Sequence, residues 1–480
     1  MNQKPSIPSD HMRRWESQPL AKRVYNASPW YLQNIMVSAY GAILMRRLDS
    51  PAVREQLDGY LQTQWLSRRE IEELQSQKLQ ALMRHVYQNV PYYRQVFDNL
   101  CLKPEDIRAA ADLQKLPLLS KRIVRENTEL LFARNVDRRT LNTMATGGTT
   151  GAPLTVYVTS HNAATERALN LRMRHWAGWN AKERRATLTG FWVIPPEQKN
   201  LPLWRYDWPE RRLLLSPYHM TGHNMDLYIE KIRAFRPKIL EGYSSYLYLL
   251  ALHLEHIGET LPVQAVFPSS EPLLPHQRQT VQERFICKAF DWYGLTERAA
   301  SAAQCERTDG YHVNAEKTLI EIVDSEGRSV PDGDEGEVVG TNLEEYGMPL
   351  IRYQSGDKSA YRSGPCPCGR GLPLIEQILT RVDDIITTGD GRLLNPAPLM
   401  GLFKNKTIER GRIIQEDEEH YTILIVPGPG YTESVADPIL LGSQKVLGPQ
   451  AKITVRLVDD IPCLPNGKNP FVVSNVRVRV

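Results

Sequence analysis

Between residues 70 and 90 the apolar positions Ile71, Leu74, Leu79, Leu82, Met83, Val86 and Val90 fall largely three or four residues apart, and Pro91 stops the run. That spacing predicts one amphipathic helix. Through the middle of the chain short apolar runs alternate with helical patterns. RATLTGFWVI stands near 185, KILEGYS near 238 precedes YLYLLALHLEHIG, and AVFPSS near 265 precedes QRQTVQERF. Such alternation predicts an α/β body with a largely parallel sheet. From 319 the texture changes to LIEIVDSEGRSVPDGDEGEVVGTNL, two alternating runs around a turn-rich centre, which is the signature of a β-ribbon. Past RVDD at 381–384, the strand-like pieces RGRIIQ, YTILIVPG and AKITVRLV and a helical stretch near 433–446 predict a small α+β domain attached by a hinge. The expected division is a large domain over 1–382 and a small one over 383–480. Near the N-terminus, the apolar segment from Trp30 to Met45 carries Gln33, Asn34 and Ser38. It predicts a docked amphipathic helix, packed on the protein or lying on a membrane surface, rather than a transmembrane span.

Composition narrows the classes. The 480 residues include 59 Lys+Arg and 55 Asp+Glu, a formal charge of +4, with 41% hydrophobic and 24% charged residues. This is an ordinary globular balance, which excludes a wholly disordered chain. No block of five like cations appears, so no nucleic-acid footprint is expected. Six cysteines in a chain of this length do not make a small secreted disulfide framework. With no secretory layout in MNQKPSIPSDHMRRW, the expected compartment is reducing and cytoplasmic.

Five local patterns offer chemistry. Thr146-Gly147-Gly148-Thr149-Thr150-Gly151-Ala152-Pro153 has glycines that let N–H groups converge and threonine hydroxyls that add donors. It reads either as a cradle for a polyphosphate or as a Gly/Thr hairpin, and it lacks the Gly-Lys-Ser/Thr of the common phosphate loop. In Asp291-Trp292-Tyr293-Gly294-Leu295-Thr296-Glu297, a strand end runs into a turn whose carboxylate suits Mg²⁺ or simply faces solvent. Tyr353-Gln354-Ser355-Gly356-Asp357 offers a carboxylate suited to vicinal hydroxyls, and Arg381-Val382-Asp383-Asp384 a guanidinium. Leu464-Pro465-Asn466-Gly467-Lys468 puts an ammonium on a glycine-flexed loop, where a solvated surface Lys is the plain alternative.

In this order, the five motifs resemble the adenylate-forming superfamily of acyl-CoA synthetases and adenylation domains. HVYQNVPYYRQVF, EGYSSYL, PSSEPL and PCPCGRGLP resemble the phenylacetate-CoA ligase-like branch, and PWYLQNIMVSAYGAILMRR its capsular polysaccharide cluster (CapK-like) members. The resemblance implies that Thr146, Gly147, Gly148, Thr149, Thr150 and Gly151 hold the ATP phosphates. It puts Ser270, Glu271, Asp291, Trp292, Tyr293 and Gly294 around adenine, Thr296 at the α-phosphate and Glu297 on Mg²⁺. Asp357 would bind the ribose with Arg381 nearby, Asp383 would be the hinge, and Lys468 would bridge the acyl carboxylate and the α-phosphate. Cys305, His312, Cys366 and Cys368 form a C-x₆-H and C-x-C set, which the branch implies to be a structural Zn²⁺ site clipping the β-ribbon to the body; buried thiols beside an unrelated turn are the alternative. His219 and His223 read either as lining of the acyl pocket or as ordinary satisfied polar residues, and Trp192, Tyr218, Tyr243 and Ser244 are pocket candidates of the same kind.

The implied reaction joins a carboxylic acid, aromatic and phenylacetate-like, to AMP with release of pyrophosphate and then passes the acyl group to coenzyme A. Two features depart from the superfamily's usual wording: Leu154 stands where many members carry Lys, and ITTGDGRLLNP is not the usual coenzyme A channel wall. An amine acceptor in cell-surface polysaccharide assembly therefore stands beside coenzyme A. Adenylyl transfer and a non-catalytic nucleotide-binding scaffold are the remaining readings. A homodimer and peripheral membrane contact are compatible with all of them.

Overall fold

The structure, a computed structural model, describes residues 19–48, 50–145, 154–188, 193–195, 198–269, 273–378, 386–394, 396–403, 407–428, 430–461 and 471–476. Its body is a six-stranded sheet in the order Trp204–Asp207, Arg212–Leu215, Arg185–Leu188, Ile239–Tyr243, Ala265–Ser269, Lys288–Ala289. Every neighbouring pair is parallel except the Trp204–Asp207 edge. Parallel neighbours need crossovers, and the helices Gly222–Phe235, Ser244–His256 and Pro275–Phe285 supply them between the last four strands in sequence. The strand order runs outward on both sides of Arg185–Leu188. A ligand crevice is therefore expected beyond the carboxyl ends of the strands, where Ser216, Ser244 and Asp291 follow.

Two antiparallel sheets complete the large domain. One has the order Leu374–Ile375, Tyr311–Val313, Ser301–Gln304, Trp292–Gly294, and the other Thr318–Val323, Gly336–Asn342, Tyr353–Ser359. The expected ribbon is present, with Thr318 opposite Asn342 and Val323 opposite Glu337. The helix read from periodicity spans Arg68–Asn89, capped by reciprocal bonds between Ser67 and Glu70. It buries Ile71, Leu79, Leu82, Met83 and Val86, with Leu74 at the margin.

The N-terminal segment forms the helix Trp30–Leu48 and docks with its polar side inward. The Asn34 carboxamide oxygen accepts the Tyr206 N–H at 2.9 Å, Ser38 Oγ accepts the Trp208 N–H at 3.1 Å, and Gln33 Oε1 accepts from Arg205 Nε at 2.7 Å. Asn34 and Ser38 thus satisfy backbone groups along and just past the Trp204–Asp207 edge strand, and Gln33 holds the Arg205 side chain. Among the described residues no helix is long and apolar enough to cross a membrane.

From Ile386 onward the chain builds a second core of Leu394, Ile413, Ile423, Ile425, Val446, Phe471 and Val472. Its sheet has the order Lys452–Leu457, His420–Pro427, Ile408–Gln415, Val472–Ser474, covered by the helix Ala436–Leu447. The expected boundary at 382/383 lies outside the described residues.

Candidate active site

Two of the quoted motifs interlock. Tyr293, on Trp292–Gly294, donates its hydroxyl to Asp357 Oδ2 at 3.0 Å, and Tyr353, at the start of Tyr353–Ser359, donates to Glu297 Oε1 at 2.5 Å. Each motif thus supplies a phenol to the carboxylate of the other, and the two antiparallel sheets are locked at one edge. Burial is the main reason that both phenols are held far above the usual tyrosine range, and the adjacent carboxylates add to it. They remain donors at every physiological pH. Asp357 is further set by Ser355, whose Oγ accepts the Asp357 N–H at 3.0 Å while donating to the Val338 carbonyl at 2.7 Å.

Glu297 is buried, and Lys121 Nζ lies 3.7 Å from its Oε1. Lys121 opens the helix Lys121–Glu126, capped by Ser120. Next to Glu297, Arg298 takes a left-handed φ of 63°, a strained position for a branched cation that persists where contacts over-determine it. Those contacts are Glu166 at 2.6 Å and Met144 Sδ at 4.0 Å. Glu166 also pairs with the buried Lys317. Burial pushes the Glu166 carboxyl up, but Arg298 and Lys317 outweigh it and hold it below the ordinary range. Met144 belongs to Asn142–Ala145, whose partner Thr155–Val158 places Ala145 opposite Thr155. The strands flanking the Gly/Thr loop are therefore tied, through Arg298, to the turn carrying Glu297.

Asp291 is held by several partners. Its Oδ2 accepts from Tyr311 at 2.6 Å and its Oδ1 from the Trp292 N–H at 2.8 Å, with Arg278 3.6 Å away. Burial raises its carboxyl above the usual range despite these partners. It shapes the turn from beneath. Gly294 is required by close approach, since a Cβ there would sit 2.6 Å from the Trp292 indole nitrogen. Thr296 is half-buried beside Glu297. Thr146 to Gly151, Ser270, Glu271, Arg381, Asp383, Lys468 and Trp192 lie outside the described residues.

Tyr218 packs with the core of the C-terminal unit, and His223 is exposed on the first turn of Gly222–Phe235. His219 is buried with Nδ1 2.7 Å from Ser216 Oγ, and Tyr243 stacks on Tyr246. Lys121, Glu166, Lys317 and Arg298 were not singled out from sequence; each is a lone charge in an unremarkable context, and only the fold assembles them.

The four expected metal ligands converge. The ligand atoms of Cys305, His312, Cys366 and Cys368 lie within 4.8 Å of one another. The Cys305–Cys366 sulfurs are 3.7 Å apart and Cys368 Sγ is 3.4 Å from His312 Nε2. Two sulfurs about 2.3 Å from a tetrahedral zinc would be separated by about 3.8 Å, so the donor set fits that ion. The N–H groups of Arg307 and Arg370 point at Cys305 and Cys368 at 3.4 and 3.5 Å. The set joins strands Ser301–Gln304 and Tyr311–Val313 to the loop carrying Cys366 and Cys368. A metal bound there would clip that loop rather than the ribbon hairpin itself.

The C-terminal residues 386–475 match the CapK C-terminal domain family. The whole chain is similar to Protein CapK of Staphylococcus aureus, 23% identical over 461 residues, which are 95% of this chain and 99% of that protein. It is also similar to phenylacetate-coenzyme A ligase of Aromatoleum evansii, 29% identical over 67% of this chain and 72% of that enzyme. Among solved structures the fold is similar to 2-hydroxyisobutyryl-CoA ligase in the postadenylation state, with a TM-score of 0.54 and 18% identity, covering 85% of this chain and 90% of that one. Aligned with CapK over nearly its full length and with the phenylacetate ligases over about two thirds, the chain is similar to the phenylacetate-CoA ligase-like branch of the adenylate-forming superfamily and shares the fold of an acyl-CoA ligase.

Proposed function

We propose that this chain activates a carboxylic acid with ATP, forming an acyl-adenylate and pyrophosphate, and transfers the acyl group to coenzyme A. The observation that carries the reading is the reciprocal pairing of Tyr293 with Asp357 and of Tyr353 with Glu297. It holds two carboxylates at fixed positions, one suited to ribose hydroxyls and one to a hard cation. A carboxylate is a weak nucleophile, and joining it to the α-phosphorus of ATP brings two anions together. Oxygen donors such as Glu297 fit Mg²⁺, and the ion, when bound with ATP, offsets phosphate charge. Lys121 and the Gly/Thr loop would add positive field and N–H donors, and Lys468 would meet the acid and the α-phosphate. Ser270, Glu271, Asp291, Trp292, Tyr293 and Gly294 would surround the adenine, Thr296 would face the α-phosphate, and Arg381 would lie near the ribose. Rotation of the small domain about Asp383 would withdraw Lys468 before acyl transfer. Zinc held by Cys305, His312, Cys366 and Cys368 would be structural, since four protein ligands complete its tetrahedron. A reducing, cytoplasmic compartment suits these thiols; none of the five described cysteines is in a disulfide.

A second acceptor is favoured by one observation. The phenylacetate ligase similarity spans 67% of this chain whereas that to CapK spans 95%, and the C-terminal match is to the CapK domain. The surface that receives the acceptor would then differ from a coenzyme A channel and take an amine in polysaccharide assembly. Incubating the protein with ATP, Mg²⁺, a panel of aryl and alkyl acids, and either coenzyme A or amino sugars and amino acids distinguishes them by product mass. A thioester supports the first reading and an amide the second. AMP retained on the product would contradict both.

A further inference from the structure

The helix Trp30–Leu48 buries polar residues beside Leu44 and leaves several large apolar residues exposed. Its polar residues Gln33 and Asn34 are 2% and 3% exposed, while Leu32, Ile35 and Ile43 are 40%, 54% and 51% exposed. With Ala39, these residues recur at three- and four-residue spacings along one side of the helix. Trp30 and Tyr31 at the N-terminal end are also half exposed. Leu201 and Trp208 are exposed on either side of the strand that this helix covers, and the Trp208 N–H is bonded to Ser38. A contiguous apolar patch of this kind marks an interaction surface.

Charge identifies the occupant. From residue 19 to 48 the sequence carries Lys22, Arg23, Arg46 and Arg47 and no Asp or Glu, and Lys199 and Arg211 stand near Leu201 and Trp208. Two copies meeting through this face would bring like charges together. Exposed apolar and aromatic side chains, with cations on the preceding helix Pro19–Ala27 and at the C-terminal end and no acid among them, instead suit an anionic bilayer surface. We propose that this face lies on an anionic membrane surface, with Leu32, Ile35 and Ile43 entering the acyl boundary and Arg23 and Arg46 meeting lipid phosphates. The buried Asn34 and Ser38 bonds fix the helix to the central sheet, so the large domain is held at the membrane as a rigid body.

The test is co-sedimentation of the full chain with vesicles of phosphatidylcholine alone or of equal parts phosphatidylcholine and phosphatidylglycerol. Wild type is expected to pellet with the anionic vesicles and to be released by salt. Ile35→Glu with Ile43→Glu should lower vesicle partitioning by at least about tenfold without shifting Tm, because both side chains already face solvent. Arg23→Gln with Arg46→Gln should lower it roughly fivefold per charge. Wild type remaining in the supernatant with both vesicles, or undiminished binding by the double Glu variant, would overturn the proposal. So would a wild-type dimer that Ile35→Glu splits and that binds no vesicle.

Discussion

At the scale of single residues the account rests on crossed phenol–carboxylate bonds. Tyr353→Phe removes a hydrogen bond to the buried Glu297 carboxyl group, a loss of about 1.5–3 kcal/mol, so acid-dependent turnover should fall roughly ten- to a hundredfold. Glu297→Gln keeps an acceptor for Tyr353 but removes the charge. Turnover should fall about 10² to 10³, measured at saturating Mg²⁺, while Tm stays near that of wild type. A second residue-level test concerns Glu241, whose side chain is 12% exposed between Arg174 at 2.8 Å and Arg185 at 3.4 Å. Burial raises this carboxyl, but Arg185 and Arg174 dominate and depress it far below its ordinary range. A depressed folded pKa adds stability above the unfolded value of about 4.3 and loses it as pH falls. Glu241→Gln should therefore cost about 3 to 5 kcal/mol at neutral pH, and the Tm gap from wild type should narrow as pH drops below about 4.

At the scale of elements, the period-two runs at 318–323 and 336–342 and the heptad-like spacing at 68–89 carried enough pattern to be read as a ribbon and a helix. The site was legible as motifs but not as geometry. Tyr293 and Asp357 are 64 positions apart, and Glu166 and Lys317 are 151 apart, so nothing local links them. The Trp30–Leu48 helix shows the limit of periodicity: the pattern defines two faces but not which one meets the protein, and here an edge strand in need of hydrogen-bond partners selected the polar one. The loop of Cys366 and Cys368 gives an element-level prediction. A Cβ on Gly371 would overlap the Leu66 carbonyl, so Gly371→Ala should force that loop from the Gln64–Ser67 turn and lower Tm by several degrees. Elemental analysis should find one zinc per chain, lost in Cys366→Ala with Cys368→Ala.

For the whole molecule, the reading joins a carboxylate-lined edge of the large domain to a separate C-terminal unit carrying Lys468. The most direct test is acid-dependent exchange of pyrophosphate into ATP across a panel of carboxylic acids, with Lys468→Ala alongside. Exchange confined to one class of acid, and at least about a hundredfold weaker in the variant, is the predicted result. ATP binding without exchange for any acid, or exchange that Lys468→Ala leaves intact, would contradict acid adenylation by this chain.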